Sequence, residues 1–288
     1  MDEKLPLKHI VYHPTFNCNL SCRGCVNYSN HLETRKIPDE TEWARDLDSL
    51  FKKFDVEFIE IAGGEPLMLP HLHDIIKKLA PAKRYAVTTN GLLLYKNLWL
   101  RDILENNPNF KIKVSMHHDP KIDSPYIDRF CDSLSKFLDI PSNKIKYHLS
   151  KHSRFGNAVV LKERFIVRDT YSRTSWSYPK LDNYELPILY DNDKDEAFKE
   201  CICPWPHIKD GKIYKCPMTA MLLKVVEAKN LYNDNWKFLK DYVPYDLLGE
   251  HNEDNWNNLF KSEDVCKRCP VKPSEWDFRK IDLHSKIV

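Results

Sequence analysis

The sequence predicts an α/β protein, a parallel sheet or barrel of βα repeats followed by a small cysteine-rich, metal-stapled domain. Three observations carry this. Between His9 and about Ser150, strand-like runs alternate with amphipathic helical stripes in five βα-type repeats. From Cys201 onward that rhythm gives way to cysteines, prolines and short helical stretches. The nine cysteines (18, 22, 25, 131, 201, 203, 216, 266 and 269) form one group near each end, with Cys131 alone between them.

Each element has its own signal. Residues 10–12 read as a strand that leads into the first cysteines. Trp43, Leu47, Leu50, Phe51 and Phe54 recur at helical spacing, and residues 56–61 make the second strand. Leu72, Ile75, Ile76 and Leu79 form another helical stripe, and residues 85–88 a strand stopped by Asn90-Gly91. A helix follows near residues 98–104, then an alternating strand at 111–116. Ile127, Phe130, Cys131, Leu134, Phe137 and Leu138 mark a further helix, and residues 145–149 a fifth strand. A sixth strand is expected at 158–160 or 165–167, then a polar, tyrosine-rich connection. The acidic stretch 191–196 reads as a solvated linker or a helix start, and residues 212–215 as a hairpin strand presenting Cys216. These readings divide the chain into residues 1–195 and 196–288.

Composition narrows the function. Hydrophobic residues make up 42% and aromatics 12%, enough for a packed core. Net charge is +2, from 44 basic and 42 acidic residues, which supports neither a nucleic-acid nor a membrane-surface partner. Residues 1–8 are charged and are followed by His13, Pro14 and Asn17, unlike a signal-peptide core. No uncharged apolar run approaches the ~20 residues that span a bilayer. The expected compartment is cytoplasmic, where clustered cysteines mean metal or redox chemistry sooner than disulfides. Cys131, on the apolar face of its helix, is expected to be a small buried hydrophobe.

Cys18, Cys22 and Cys25 follow the first strand as C-x-x-x-C-x-x-C. Thiolates are soft ligands suited to iron–sulfur clusters. Three on one loop hold three irons of a [4Fe-4S] cube and leave the fourth open to a small molecule. A half-built zinc site is the plainer alternative, but structural zinc wants four closed ligands. The run Cys18-Asn19-Leu20-Ser21-Cys22-Arg23-Gly24-Cys25 resembles the signature of radical S-adenosylmethionine (SAM) enzymes. That resemblance implies a partial (β/α)6 TIM-like barrel over residues 1–195 and a cluster whose open iron chelates SAM. It also implies cleavage of SAM to a 5′-deoxyadenosyl radical that abstracts a substrate hydrogen atom. One departure is Gly24, where the family commonly has an aromatic residue near the adenine. The backbone after Cys25, or Tyr28, is then expected to take that place.

Only seven glycines are present; Gly24, Gly63, Gly64 and Gly91 lie in the motifs singled out here, and Gly211 stands ten residues after Cys201 and five before Cys216. Gly63-Gly64-Glu65-Pro66 follows the second strand and resembles the family's G-G-E-P motif, which implies a hold on SAM's amino group. Glycines let backbone carbonyls come close, and a carboxylate suits an ammonium. An ordinary strand-to-helix turn is the alternative. Thr88-Thr89-Asn90-Gly91 resembles a recurrent turn of these enzymes, with Asn90 a SAM or substrate contact or a plain turn residue. Ser115 resembles the family's polar contact to SAM. His117 and His118 face substrate or solvent, as do Lys151, His152 and Arg154.

Cys201, Cys203, Cys216, Cys266 and Cys269 form the second group. Their spacing resembles the twitch appendage of some radical SAM enzymes, a shortened SPASM domain, which implies one auxiliary [4Fe-4S] cluster over residues 196–288. A four-thiolate zinc ribbon is the alternative. The resemblance implies Cys201, Cys216, Cys266 and Cys269 as ligands, although Cys203 would also reach. A spare Cys203 would be a hydrogen-atom donor or a bystander.

The function expected is therefore a radical SAM oxidoreductase, a dehydrogenase or epimerase of a small molecule such as a carbohydrate or aminocyclitol. It would be served by an external flavodoxin- or ferredoxin-like one-electron donor. A peptide-modifying maturase is a second reading, weakened because only 17 residues precede Cys18. A non-enzymatic zinc-binding interaction module is a third, and it leaves Gly63-Gly64-Glu65-Pro66 unexplained.

Overall fold

A computed structural model describes residues 4–22, 25–32, 37–121, 124–152, 158–170, 175–176, 186–201, 203, 205–231, 234–272 and 274–275. The strands are β1 (Leu5–Leu7), β2 (Ile10–Thr15), β3 (Phe54–Val56), β4 (Phe58–Gly63), β5 (Arg84–Thr89), β6 (Phe110–Met116) and β7 (Ala158–Lys162). They continue as β8 (Phe165–Asp169), β9 (Ser175–Trp176), β10 (His207–Lys209), β11 (Lys212–Tyr214), β12 (Tyr245–Asp246) and β13 (Ser274–Glu275). The helices are α1 (Glu40–Lys53), α2 (Leu72–Lys78), α3 (Leu100–Asn106), α4 (Pro125–Leu138) and α5 (Ser142–His152). The C-terminal part adds α6 (Lys194–Lys199), α7 (Leu223–Ala228), α8 (Lys237–Asp241) and α9 (Glu253–Asn258).

One nine-stranded sheet organises the molecule, in the order β12-β11-β10-β2-β4-β5-β6-β8-β7. The six strands from β10 to β8 run parallel. β7 closes one flank antiparallel, and β11 and β12 the other. Alternation decides what each face carries. Ile59, Ile61, Tyr85, Val87, Ile112, Val114, Phe165 and Val167 point into the helical layer and are buried. The opposite face carries Glu60, Thr88 and Lys113, where Thr88 Oγ1 and Lys113 Nζ both donate to the Glu60 carboxylate.

Local chemistry sets the helix ends. Asp39 and Glu42 form a reciprocal capping box at the start of α1, with Glu42 N donating to Asp39 Oδ1 at 2.8 Å. Trp43, Leu47, Leu50 and Phe51 are the buried stripe of α1, and Phe54 falls just past its end, in β3. Ser124 caps α4, Pro125 takes its first turn, and Asp139 ends it in the left-handed region at φ 57°. Cys131 is buried on the apolar face of α4.

The expected strand at 145–149 is corrected: these residues lie in α5. Ile145 and Leu149 satisfy a period of two and a helical i, i+4 pair equally well. Tyr147, which a strand would place on the same face, is 68% exposed. The parallel place next to β6 goes to β8 instead, and both candidates for the sixth strand form, as the β7–β8 hairpin. The sixth parallel strand is β10, which comes from beyond Cys201 and pairs with β2 through His207↔Val11 and Ile208↔Tyr12. The acidic stretch 191–196 supplies Asp193 as the N-cap of α6.

Candidate radical and metal centre

The motifs converge at the carboxyl ends of the parallel strands, where loops of such folds carry their chemistry. The β2–β4 ladder matches Tyr12 to Ile61 but Thr15 to Gly63, so β2 carries one extra residue at His13-Pro14. Such a bulge re-aims the strand end. It delivers Thr15 and Asn17 to the loop after β4: Gly64 N donates to Thr15 O at 2.9 Å, and Glu65 N donates to Asn17 O at 2.7 Å. Asn27 Nδ2 donates to Gly63 O at 2.7 Å from the far side of the cysteine run.

The two glycines are required by this contact. Gly63 sits at φ +132°, and a Cβ there would lie 2.4 Å from Thr15 O. A Cβ on Gly64 would lie 2.0 Å from Asn17 O. The backbone that comes close to these glycines is therefore the cysteine loop itself.

Glu65 is 1% exposed, and its carboxylate is fully engaged by the chain. Oε1 accepts from Leu67 N at 3.0 Å and Thr89 Oγ1 at 2.6 Å, and Oε2 accepts from Asn90 N at 2.8 Å. Burial pushes its carboxyl up to about 7, against the pull of these three donors. Pro66 begins a short 3-10 turn over Pro66–Met68. Asn90 then turns back to the cysteines. Its Nδ2 donates to Asn19 Oδ1 at 2.6 Å and lies 4.0 Å from Cys18 Sγ, and its Oδ1 accepts from Leu92 N at 3.0 Å.

Cys18, Cys22 and Cys25 are half-buried free thiols. Leu20 N donates to Cys18 Sγ at 3.4 Å, and Cys25 N donates to Cys22 O at 3.2 Å. Burial pushes the Cys18 thiol up to about 12, with the Glu65 carboxylate adding to it. Burial also holds Cys22 well above the usual thiol range, and the neighbouring Cys25 and Cys18 add to that. A site that raises thiols in this way favours thiolates only when a cation is bound among them. Among the described residues no group of three or more His, Cys, Asp or Glu is arranged around a single ion. A cubane takes one thiolate per iron, so its ligands need not converge on one point.

The other predicted residues are placed as follows. Ser115 is half-buried on β6 with Arg168 as its ladder partner on β8. His117 approaches Thr170 Oγ1 at 3.3 Å, and His118 stacks on Tyr126 at 4.2 Å, so both are held by the chain. Lys151 and His152 end α5 and are exposed. Gly24 and Arg154 lie outside the described residues.

The second group is brought together. Cys201, Cys203, Cys216, Cys266 and Cys269 line one pocket with Lys215, Phe198, Pro217 and Met218. Cys216 follows β11, and Cys266 and Cys269 lie on the turn after α9, where Cys269 N donates to Cys266 O at 3.1 Å. Cys203 N donates to Cys201 Sγ at 3.3 Å. The Cys203 thiol and this N–H pull Cys201 down to about 6 despite its burial, with Lys215 adding to them. Burial pushes Cys216 up to about 11 and Cys269 well above its ordinary value.

Three contributors escaped the sequence reading. Thr89 and Asn19 hold Glu65 and Asn90, and their place inside the quoted motifs was the available signal. Lys215, directly before Cys216, is a buried cation that donates to Asn258 O at 2.8 Å and Leu259 O at 3.1 Å and lies 3.5 Å from the Glu263 carboxylate. It ties the β11 cysteine to the segment leading to Cys266.

A GTP 3′,8-cyclase of Aquifex aeolicus (strain VF5) is 33% identical over 120 residues, 39% of this chain and 36% of that protein. A probable GTP 3′,8-cyclase of Archaeoglobus fulgidus is 38% identical over 85 residues, 28% of this chain and 27% of that protein. The chain thus spans about a third of the length of these curated relatives. Among solved structures, BtrN in complex with AdoMet and 2-DOIA aligns with 93% of this chain and 94% of its own at 15% identity, with a TM-score of 0.46. The family model described as Radical SAM superfamily matches residues 12–140, the segment that carries Cys18, Cys22, Cys25, Gly63-Gly64-Glu65-Pro66, Asn90 and Ser115. Residues 12–140 are accordingly a Radical SAM superfamily domain.

Proposed function

We propose that the chain is a radical SAM enzyme that uses Cys18, Cys22 and Cys25 to hold a [4Fe-4S] cluster and the adjoining loops to hold SAM. The observation that carries this is the backbone union of the cysteine loop with Gly63-Gly64-Glu65 at the ends of adjacent parallel strands. When bound, the cluster would supply the electron that cleaves SAM to the 5′-deoxyadenosyl radical, which abstracts a hydrogen atom from substrate. The chain's own part is to position. Glu65 locks the β4 and β5 loop ends through Thr89 and Asn90, and Asn90 braces the loop beside Cys18. With both carboxylate oxygens engaged, Glu65 acts chiefly through that frame. The Gly63 carbonyl already accepts from Asn27, and Ser115 is a half-buried hydroxyl at the end of β6 open to a ligand.

The five-cysteine pocket supports a second [4Fe-4S] cluster in a twitch-like domain over residues 196–288. Cys216, Cys266 and Cys269 would be ligands, with Cys201 the fourth and Cys203, hydrogen-bonded to it, the spare thiol. An auxiliary cluster accepts the electron left on a substrate radical, whereas a thiol returns a hydrogen atom to it. We therefore read the reaction as oxidation or epimerisation of a small molecule such as a carbohydrate or aminocyclitol, fed by a flavodoxin- or ferredoxin-like donor. The cyclase names of the relatives do not fix the substrate, because they match only about a third of each protein.

Anaerobic reconstitution tests both halves. About eight irons per chain are expected from two four-iron clusters. Cys22→Ala should abolish 5′-deoxyadenosine formation and leave about four irons. Cys216→Ala should leave about four irons and spare SAM cleavage. Stoichiometric zinc without iron would support an interaction module, and unchanged cleavage in Cys22→Ala would refute the site. Modification of a peptide and not of small molecules would favour the maturase reading.

A further inference from the structure

The five-cysteine pocket is walled by apolar side chains and thiols, and among its described lining residues the one lysine or arginine is Lys215, with no aspartate or glutamate beside it. Its side chain is 4% exposed. An ammonium out of water is costly unless its donors are bonded. All three are: Nζ donates to main-chain carbonyls past the end of α9, Asn258 O at 2.8 Å, Leu259 O at 3.1 Å and Lys261 O. That cage fixes the charge in place. Nζ stands 4.6 Å from the centroid of the Phe198 ring, and Phe198 and Leu259 both line the pocket with the cysteines. The ammonium is thus set into the wall that the sulfurs share. Its counter-ion is the wetter partner: the Glu263 carboxylate lies 3.5 Å away, and its side chain is 22% exposed. Water screens the acid more than the lysine, so the pocket feels a net positive charge.

We propose that Lys215 acts on the iron–sulfur cluster held by the second cysteine group as a fixed buried cation that raises its reduction potential, and that Glu263 sets how much of that charge the cluster feels. The inference rests on the two-cluster reading above. Reduction adds one electron to a cluster that its thiolates already make an anion. A cation held in a low-dielectric wall beside it stabilises the added charge. A cluster that takes up the electron left on a substrate radical needs such a reachable reduced state, so the lysine serves the oxidative reaction. A strut between β11 and the segment leading to Cys266 is the plainer role for Lys215. A strut alone would leave the cluster indifferent to the charge of Glu263.

The test uses the full chain, reconstituted anaerobically, as wild type, Lys215→Met, Glu263→Gln and Lys224→Met. Iron is counted, and electron paramagnetic resonance follows both clusters through a potentiometric titration. The second cluster is the one whose signal stays the same when SAM is added. Lys215→Met should make it about tenfold harder to reduce, a fall of about 59 mV for a one-electron couple. Glu263→Gln should move the potential the other way. The Glu263 side chain caps no backbone group of the turn that follows it, and Cys266 N donates to the main-chain Glu263 O, so that turn keeps its bonds. Glu263→Gln decides alone if the methionine variant fails to hold about eight irons. Lys224→Met, which removes a half-buried cation outside the pocket, should change nothing. A second-cluster potential equal to wild type, or shifted with the opposite sign, in either variant that holds about eight irons would overturn the inference and leave the two-cluster reading standing. About four irons in the wild type would overturn that reading itself.

Discussion

Gly64→Ala is the sharpest probe of how the site is built. The new methyl would meet Asn17 O at 2.0 Å, Asn17 C at 2.5 Å and Phe16 C at 2.6 Å, all backbone atoms. No rotamer change relieves that, so the cysteine loop must lift from the loop after β4. The lift stretches the hydrogen bonds from Gly64 N to Thr15 O and from Glu65 N to Asn17 O. Each contributes about 1 kcal/mol, and forced overpacking adds about 1–3 kcal/mol, for a total of roughly 3–5 kcal/mol. That is a large share of the stability of an ordinary domain, about 5–15 kcal/mol. The assay is urea unfolding of the metal-free protein, paired with the rate at which a thiol reagent modifies Cys18 and Cys22. We expect a lower midpoint and faster modification. Gly249→Ala is the control, because its methyl would meet only the Asp246 side chain, at 3.0 Å or more, and should cost under about 1 kcal/mol. If Gly64→Ala matches wild type in both readouts, the loop union is not what fixes the cysteines.

Two further predictions concern buried charge. Lys113→Met should destabilise by about 3–5 kcal/mol, because it strands Glu60 where the pair is only 11% and 15% exposed. The Glu60→Gln, Lys113→Met double variant should recover much of that loss, and equal losses in single and double variants would refute the pairing. Glu65 predicts a pH dependence. Its carboxyl is raised from 4.5 to about 7 in the folded state, so between those values the native protein holds a proton that the unfolded chain has lost. Stability of the metal-free protein should therefore fall as pH rises through that window, by a total on the order of 3 kcal/mol, and level off above it. Glu65→Gln should flatten that slope whatever its absolute stability, and an unchanged slope assigns the dependence elsewhere.

Periodicity made the helical layer readable. The stripes at Trp43–Leu47–Leu50 and at Ile127–Phe130–Leu134 are long enough to exclude a strand. Residues 145–149 were not, since two apolar residues four apart fit either element. The motifs located the site because they are local in sequence. Their partners were less visible, because Glu65 meets Thr89 and Asn90 across a strand-to-strand contact that spacing does not encode. The reason for Gly63 and Gly64 was also hidden: sequence points to a close ligand, and the structure shows a close neighbouring loop.

The C-terminal segment teaches the same lesson on a larger scale, and it can be tested by cutting. Sequence rhythm places a boundary near residue 195, yet β10 completes the parallel run beside β2. Val11 N donates to Pro206 O at 2.9 Å, and His13 Nε2 meets His207 Nδ1 at 2.6 Å in the buried interior. His13 Nδ1 has no partner among the described residues, so losing His207 would leave that ring unsatisfied at both nitrogens. Every residue of β2 is buried. A fragment of residues 1–195 would thus uncover the β2 edge at Val11 and Tyr12, next to the first cysteine loop, an open template for strand addition. We expect it to be insoluble or to associate, and supplying residues 196–288 in trans should restore a soluble complex. A monomeric 1–195 fragment with sharp, cooperative unfolding would show instead that β10 is dispensable. The two cysteine groups would then be separate modules, not neighbours built on one sheet.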